Sequence, residues 1–460
     1  MTGPLRLRAD VSLGRLAGGR TLLGGAPLRA LRLSATGAGL VERWLAAEPV
    51  ADVPAHRALA ARLVRIGMVH PEYPTGRWGP ADVTVVVPVR DHAEALRPLL
   101  AALADEPDLG GVIVVDDGSA EPVPGAAVRH PVARGPAAAR NAGWRRVGTE
   151  FVAFLDADTV PEPGWLGPLL RQFTDPDVAA AAPRVCSPPG KSTLQRYEQV
   201  RSSLDLGPAP AVVRPGSRVS YVPTAALLVR TEALRGLDGF DESMRFGEDV
   251  DLVWRLAAGD GLVRYEPESV VWHAPRATWS RWLRQRFEYG TSAAGLARRH
   301  GSAVAPVRVS VWSALAWVLV AAGRPVAGVG VAGVTAALLP RKLAPVGVPA
   351  AESVSLALRG HLGAGRLLGD AVTRSWAPFA VPVLAASRRG RLVLLAAFAR
   401  HLLDWRRTRP PLDAARWTLI RSADDLAYGT GVCWGAVREH TLGPLRPDLS
   451  DWPGRTGIQT

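Results

Sequence analysis

Residues 151–159, FVAFLDADT, run five apolar side chains into two carboxylates, Asp156 and Asp158. A near-continuous apolar run that ends in charge is the pattern of a strand buried on both faces. Positions two apart on a strand point the same way, so this like-charged pair shares a face and repels unless something cationic stands between its members. The identity of that cation is the first question the sequence raises.

The same texture extends upstream. VTVVVPV (83–89) and GVIVVDD (111–117) read as strands, and AEALRPLLAALAD (93–105) and GPAAARNAGWRRV (135–147) read as helices between them. Alternating strands and helices with Val/Ile/Leu-rich strands predict an α/β domain built on a mostly parallel sheet, of the nucleotide-binding kind. In such sheets ligands bind outside the carboxyl ends of the strands, and Asp116, Asp117, Asp156 and Asp158 all stand there. Four carboxylates with no lysine nearby call for hydrogen-bond donors on the ligand or for a divalent cation, Mg²⁺ or Mn²⁺, bridging to a diphosphate. Arg134 and Arg140 lie between the two acidic ends and offer guanidinium forks to phosphate.

Downstream, FGEDVDLVWRL (246–256) opens a helix with Glu248, Asp249 and Asp251, where the helix dipole favours acids. Asp249 is also placed to act as a general base toward an acceptor hydroxyl. SVVWHAP (269–275) ends another apolar run at His273, a candidate metal ligand.

The chain is 460 residues long, which at roughly 150 residues per domain predicts more than one core. Boundaries are expected near 75 and 300. Residues 20–75 combine a hairpin around Gly24 and Gly25 with two helical stretches, 38–48 and 56–67, a winged-helix-like module followed by a Pro/Gly-rich linker. Cys186 and Cys433 are the only cysteines, too few for a disulfide framework. The N-terminal residues are too charged for an export signal. Net charge is +13, yet Lys191 and Lys342 are the only lysines and aromatics do not interleave with basic runs, which argues against nucleic acid as a partner.

The basic excess is local: residues 271–460 hold 25 Lys and Arg against 10 Asp and Glu. The same region contains two uncharged runs, 309–323 and 326–340, interrupted by Arg324 and Pro325, and an apolar stretch at 376–405 split by Arg388, Arg389 and Arg391. One 15-residue arm falls short of a hydrocarbon core of ~30 Å, whereas both together would span it with a break. Two readings stay open, an apolar helical subdomain or membrane attachment. Flanking arginines suit the cytoplasmic face of the cell membrane.

Taken together, VTVVVPVRD, VVDDGS, AARNAG, FLDADT and GEDVDLVWR resemble, in order and spacing, the motifs of glycosyltransferase family 2 domains with the GT-A fold, over residues 83–290. The resemblance implies inverting transfer of a sugar from a nucleoside diphosphate sugar. Pro88, Asp116 and Asp117 would then hold the nucleoside end, Asp156 the nucleotide sugar, and Asp158 with His273 a divalent metal. Asp249 would be the base, with Glu248 beside it, and Arg140, Arg284 and Arg286 would meet the diphosphate. Arg90 and Asp91 depart from the Tyr and Asn of many relatives, and the Gln-x-x-Arg-Trp motif of processive synthases is absent, which favours single additions. The layout of small module, catalytic domain and apolar basic tail resembles glycosyltransferases of mycofactocin biosynthesis, implying UDP-glucose as donor and a peptide-derived acceptor. A membrane glycosyltransferase of cell-envelope lipid or polysaccharide assembly is the competing expectation.

Overall fold

The computed structural model describes residues 5–449 apart from Thr75, His92 and Asp260. The chain divides into two compact units. One takes the chain up to Leu13, Gly24–Leu28 and Gly39–Pro275; the other takes Gly14–Leu23, Arg29–Ala38 and the chain from Arg276 onward.

The N-terminal stretch forms β1 (Arg6–Ala9), β2 (Gly14–Leu16), β3 (Thr21–Gly24), β4 (Arg29–Arg32), α1 (Ala35–Leu45), α2 (Pro54–Arg65) and β5 (Val69–Glu72). The expected hairpin and two helices are present, with Pro54 opening α2 where a missing N–H costs nothing. They are nevertheless shared between the units. β1 pairs antiparallel with β5 in the first unit, where His70 is hydrogen-bonded to Asp10 at 2.8 Å and to Arg264 at 3.3 Å. Most of the β2-β3-β4 sheet goes with the second unit, where Thr21 donates to the carbonyl of Val346 at 2.9 Å and Arg32 to that of Pro345 at 3.0 Å. Long-range hydrogen bonds, rather than chain proximity, divide this stretch.

The rest of the first unit is a layered α/β structure. Its elements are β6 (Val83–Val89), α3 (Leu96–Ala104), β7 (Gly111–Asp116), β8 (Val128–Arg129), α4 (Pro136–Trp144), β9 (Phe151–Leu155), β10 (Thr159–Pro161) and α5 (Leu166–Gln172). β11 (Val178–Cys186), α6 (Thr193–Arg201), β12 (Ala211–Val212), β13 (Ala226–Arg230), α7 (Thr231–Leu237), α8 (Glu248–Ala258) and β14 (Leu262–His273) complete it. Among the described residues nine strands form one sheet, ordered β10-β14-β11-β13-β9-β6-β7-β8, with β12 on β14. The first half is parallel, as the sequence predicts: β6 runs with β7 and with β9. The second half is not, because β13 inserts antiparallel between β9 and β11, which makes the sheet mixed.

Alternation along the strands explains the two-sided burial. Val83, Val85, Val87 and Val89 of β6 pack with Leu96, Leu99 and Leu103 of α3 and with Leu166, Leu169 and Leu170 of α5. Val86 points the other way, to α4, where a side chain on Gly143 would come within 2.4 Å of it. Helices therefore cover both faces, and the polar strand ends are what remains for a ligand.

The second unit is helical: α9 (Trp279–His300), α10 (Val311–Ala321), α11 (Pro325–Leu343), α12 (Ala350–Thr373), α13 (Ala377–Ala385), α14 (Arg388–Thr408) and α15 (Ala414–Arg438), with β15 (Arg308–Val309) pairing parallel to β16 (Asp448–Leu449). Among the described residues one helix, Pro325–Val346, is long and apolar enough to cross a membrane.

Candidate active site

The first acidic end, VVDDGS, builds a loop. Asp116 is fully buried and accepts hydrogen bonds from the N–H groups of Ser119 (2.8 Å) and Val123 (3.2 Å) and from Arg129 (2.7 Å). Burial by itself would raise its pKa, but these donors outweigh it and hold the carboxyl below the ordinary value. Asp117 accepts from the N–H groups of Arg134 (2.9 Å) and Gly135 (2.8 Å) and pairs with His130 at 2.7 Å. Gly118 has φ of +70°, and a Cβ there would lie 2.4 Å from the nitrogen of Ala133, so only glycine makes this turn. Asp116 has no exposed surface and accepts from three protein donors, which argues against the expectation that it touches the nucleotide sugar directly. Its role is to shape the loop. Pro88 is half-buried opposite Val115, near the same strand ends.

The cation beside Asp156 is Arg140, and it bridges to Glu248 rather than to Asp158. Its guanidinium donates through Nη2 to Asp156 at 2.8 Å and through Nη1 to Glu248 at 2.9 Å, and the side chain is almost wholly buried. Burial disfavours its charge, yet Asp156 and Glu248 more than offset that and raise its pKa. This fork ties the carboxyl end of β9 to the first turn of α8, through a helix whose neighbouring Asn141 fixes the loop before α8: Asn141 donates to the carbonyl of Phe240 at 2.8 Å and accepts from its N–H at 3.0 Å. Both polar side chains of the AARNAG stretch thus tie α4 to other elements. Arg140 was expected to meet phosphate; it is committed to two carboxylates instead. Arg134 likewise pairs with Glu242 at 2.8 Å.

With Arg140 on Asp156, Asp158 turns to His273. Thr159 on β10 and His273 on β14 are directly opposite in the antiparallel register, so the strand pairing itself delivers the imidazole to the acidic end. The His273 Nε2 lies 3.4 Å from Asp158 Oδ1, and ligand atoms of Asp156, Asp158 and His273 all lie within 4.8 Å of one another. Two ligands on opposite sides of a Mg²⁺ ion would be about 4.2 Å apart, so the trio fits a hard divalent cation with a small inward shift. The two carboxylates supply the oxygen donors that Mg²⁺ and Mn²⁺ accept, and the imidazole adds a softer nitrogen donor.

The second acidic pair opens α8. Glu248 is buried against Arg140, while Asp249 is half-buried and accepts from the N–H of Val250 at 2.8 Å. Burial first, and then the neighbouring Asp249 charge, raise Glu248 to about 7 against the pull of Arg140. Asp249 is raised too, mainly by burial, with Arg140 opposing and Asp156 adding to the rise. A carboxyl whose pKa is raised by burial beside the strand-end carboxylates has the basicity that proton abstraction uses. Asp251, by contrast, is fully buried and anchors Arg255 at 2.7 Å, a structural duty.

Arg284 and Arg286 lie on α9, in the second unit, and are described with it. Arg284 is exposed and pairs with Glu288 at 3.0 Å. Arg286 corrects an expectation: only 2% of its side chain is exposed, it lies 3.4 Å from Asp424, and it stacks over Trp282. Asp424 and Asp425 also face Arg374 and Arg421, so Arg286 belongs to a buried charge network that holds helices together. Sequence reasoning missed Arg129 and His130, which complete the loop carboxylates. Their only signal was position: Arg129 ends a two-residue strand beside β7 and His130 follows it.

Residues 84–234 match the Glycosyl transferase family 2 domain. The chain is 40% identical over 458 aligned residues to a pre-mycofactocin glycosyltransferase of Mycobacterium tuberculosis, covering 94% of this chain and 95% of that one. It is also 30% identical to the succinoglycan biosynthesis protein ExoU of Rhizobium meliloti, over 39% of this chain and 58% of that one. Among solved structures, a mannosyltransferase from Pyrobaculum calidifontis in complex with GDP-Man and Mn²⁺ aligns with TM-score 0.44 and 18% identity, over 78% of this chain and 89% of that one. With 40% identity over nearly all of both chains, the protein belongs to the same family as the Mycobacterium tuberculosis enzyme: it is a glycosyltransferase of family 2.

Proposed function

We propose that the protein transfers a hexose, glucose from UDP-glucose being the first candidate, to a hydroxyl of a peptide-derived acceptor in mycofactocin biosynthesis, with inversion at the anomeric carbon. The observation that carries the chemistry is the single guanidinium of Arg140, which joins the strand-end carboxylates to the acid pair of α8. Donor side and acceptor side are thereby held a side chain apart. Asp158, His273 and Asp156 would hold a Mg²⁺ or Mn²⁺ ion. Such an ion, when bound, offsets negative charge that develops on a leaving diphosphate. Asp249 accepts the proton of the acceptor hydroxyl as its oxygen attacks the anomeric carbon, and the electron pair of the breaking glycosidic bond leaves with the diphosphate. Glu248 and Arg140 keep Asp249 oriented and set when it is ionised. The name of the 40%-identical relative supports the acceptor.

A second reading, transfer to a cell-envelope lipid or polysaccharide, is favoured by the exposed apolar surface of the second unit. One experiment separates the two. The purified chain with Mg²⁺ or Mn²⁺ is offered a panel of UDP- and GDP-sugars with the peptide-derived acceptor or with a lipid acceptor, and products are weighed by mass spectrometry. A hexose added to the peptide-derived acceptor from UDP-glucose is expected. Transfer to lipid alone overturns the acceptor, and transfer from GDP-sugars alone overturns the donor.

A further inference from the structure

The second unit exposes large apolar side chains in a way that a water-facing bundle does not. Val318 is 61% exposed, Val326 86%, Val329 68%, Val383 71%, Leu392 61% and Leu395 67%. They belong to two helical hairpins, α10–α11 and α13–α14. In the first, Gly328 packs against the carbonyl of Ala316 and the side chain of Val320, so the arms run antiparallel and turn at residues 322–324. The second turns at residues 386–387, between α13 and α14. Arg389 donates to the carbonyl of Ala322 at 3.3 Å, which sets the two turns side by side at one end of the bundle.

Charge sorts to that end. Between Arg308 and Arg341 the only charged residue is Arg324, at the first turn. Between Arg374 and Arg400 the only ones are Arg388, Arg389 and Arg391, at the second. All four are exposed. Apolar flanks tipped by a cluster of arginines fit one environment, the boundary between acyl chains and anionic headgroups, where apolar side chains leave water and guanidinium groups meet phosphate.

Helix length decides between lying on a bilayer and passing through it. α11 is long enough to cross, but its partner α10 has 11 residues and α13 has 9. At 1.5 Å per residue these arms reach about 17 and 14 Å into a core of about 30 Å. Entering tip first, the bundle would leave four arginines near the bilayer centre, among the costliest places for that side chain.

We propose that the second unit is an interfacial anchor that lies in one anionic leaflet, as at the cytoplasmic face of a cell membrane, with its hairpin flanks among the acyl chains and Arg324, Arg388, Arg389 and Arg391 at the headgroups. It holds whichever sugar or acceptor the first unit uses.

The test uses the full chain. It is floated with phosphatidylcholine vesicles containing or lacking phosphatidylglycerol, in parallel with an Arg388→Gln/Arg389→Gln/Arg391→Gln variant and a Val326→Asp/Val329→Asp variant. Both variants change exposed positions, and unchanged circular dichroism verifies folding. Flotation is expected only with phosphatidylglycerol, weakened by about a hundredfold when three charges are removed and reduced in the aspartate variant. For depth, Ala386→Cys in a chain with Cys186 and Cys433 replaced by alanine is treated with a membrane-impermeant maleimide on sealed vesicles. Labelling from the side of addition is expected. Equal flotation with neutral vesicles, no flotation, a dimer in solution that covers the face, or a cysteine protected until the vesicles are opened would each overturn the proposal.

Discussion

At the scale of single residues, the site turns on how one arginine is divided. Arg140 shares its one charge between Asp156 and Glu248, while Asp158 lies with Asp156 and His273 in the trio proposed to hold a metal and Asp249 is the proposed base. Asp249→Asn keeps shape and hydrogen bonding but cannot take the proton, so nucleotide-sugar binding measured calorimetrically should stay within about threefold while turnover falls by at least about a hundredfold. Asp158→Ala should do the opposite, weakening metal-dependent donor binding first. The sign of the pH dependence follows from the raised pKa values of the acid pair. A base must be ionised to act, and burial raises Asp249 above its ordinary value beside a Glu248 lifted to about 7, so the acid limb of turnover should lie at higher pH than that of an ordinary carboxylate. Glu248→Gln removes one of two like charges and should move that acid limb to lower pH. A kcat profile whose limb stays in place would contradict the coupling of the pair.

At the scale of elements, the strand ends depend on turns with no spare room. Gly118→Val puts a branched side chain where a Cβ alone would lie 2.4 Å from the Ala133 nitrogen, at a φ that β-branched residues avoid. The loop held by Asp116 and Asp117 should be displaced. The expected result is loss of nucleotide binding by more than tenfold, with the far-ultraviolet circular dichroism of the sheet retained. A variant that binds UDP normally would show that the loop takes no part. Sequence patterning reached these elements well: β6, β7 and β9, with α3 and α4 between them, lie where the apolar and helical runs predict them. It missed β13, because a short apolar run carries no mark of direction, and an antiparallel strand reads like a parallel one when both faces are buried.

At the scale of the whole molecule, charge networks distinguish residues that bind from residues that brace. Arg286 was expected at the diphosphate and lies instead inside the helical unit with Asp424. Arg286→Met removes one of the three guanidinium groups facing Asp424 and should destabilise the unit, by less than the about 3–5 kcal/mol of a fully broken buried pair because Arg374 and Arg421 remain. Thermal unfolding should show it, while donor KM stays unchanged; a large rise in KM with normal stability would return Arg286 to the substrate. The division of the N-terminal stretch between two units belongs to this scale as well, since Thr21 and His70 find partners 325 and 194 residues away.

Local pattern alone determined the strand-ending carboxylates, the glycine turn after Asp117, the acids opening α8 and the apolar, arginine-punctuated tail. Each of these is a matter of neighbours in the chain, where side-chain period and backbone sterics act over a few residues. Tertiary structure decided which carboxylates stay available. Asp116 and Asp156 have the same local setting, an apolar strand running out into charge, yet one is consumed by loop donors and the other shares a guanidinium from a helix 16 residues away. Only the packed sheet brings His273 opposite Thr159 and Glu248 against Arg140, because the electrostatics of a buried group depends on everything within a few ångströms of it and on nothing the chain order records.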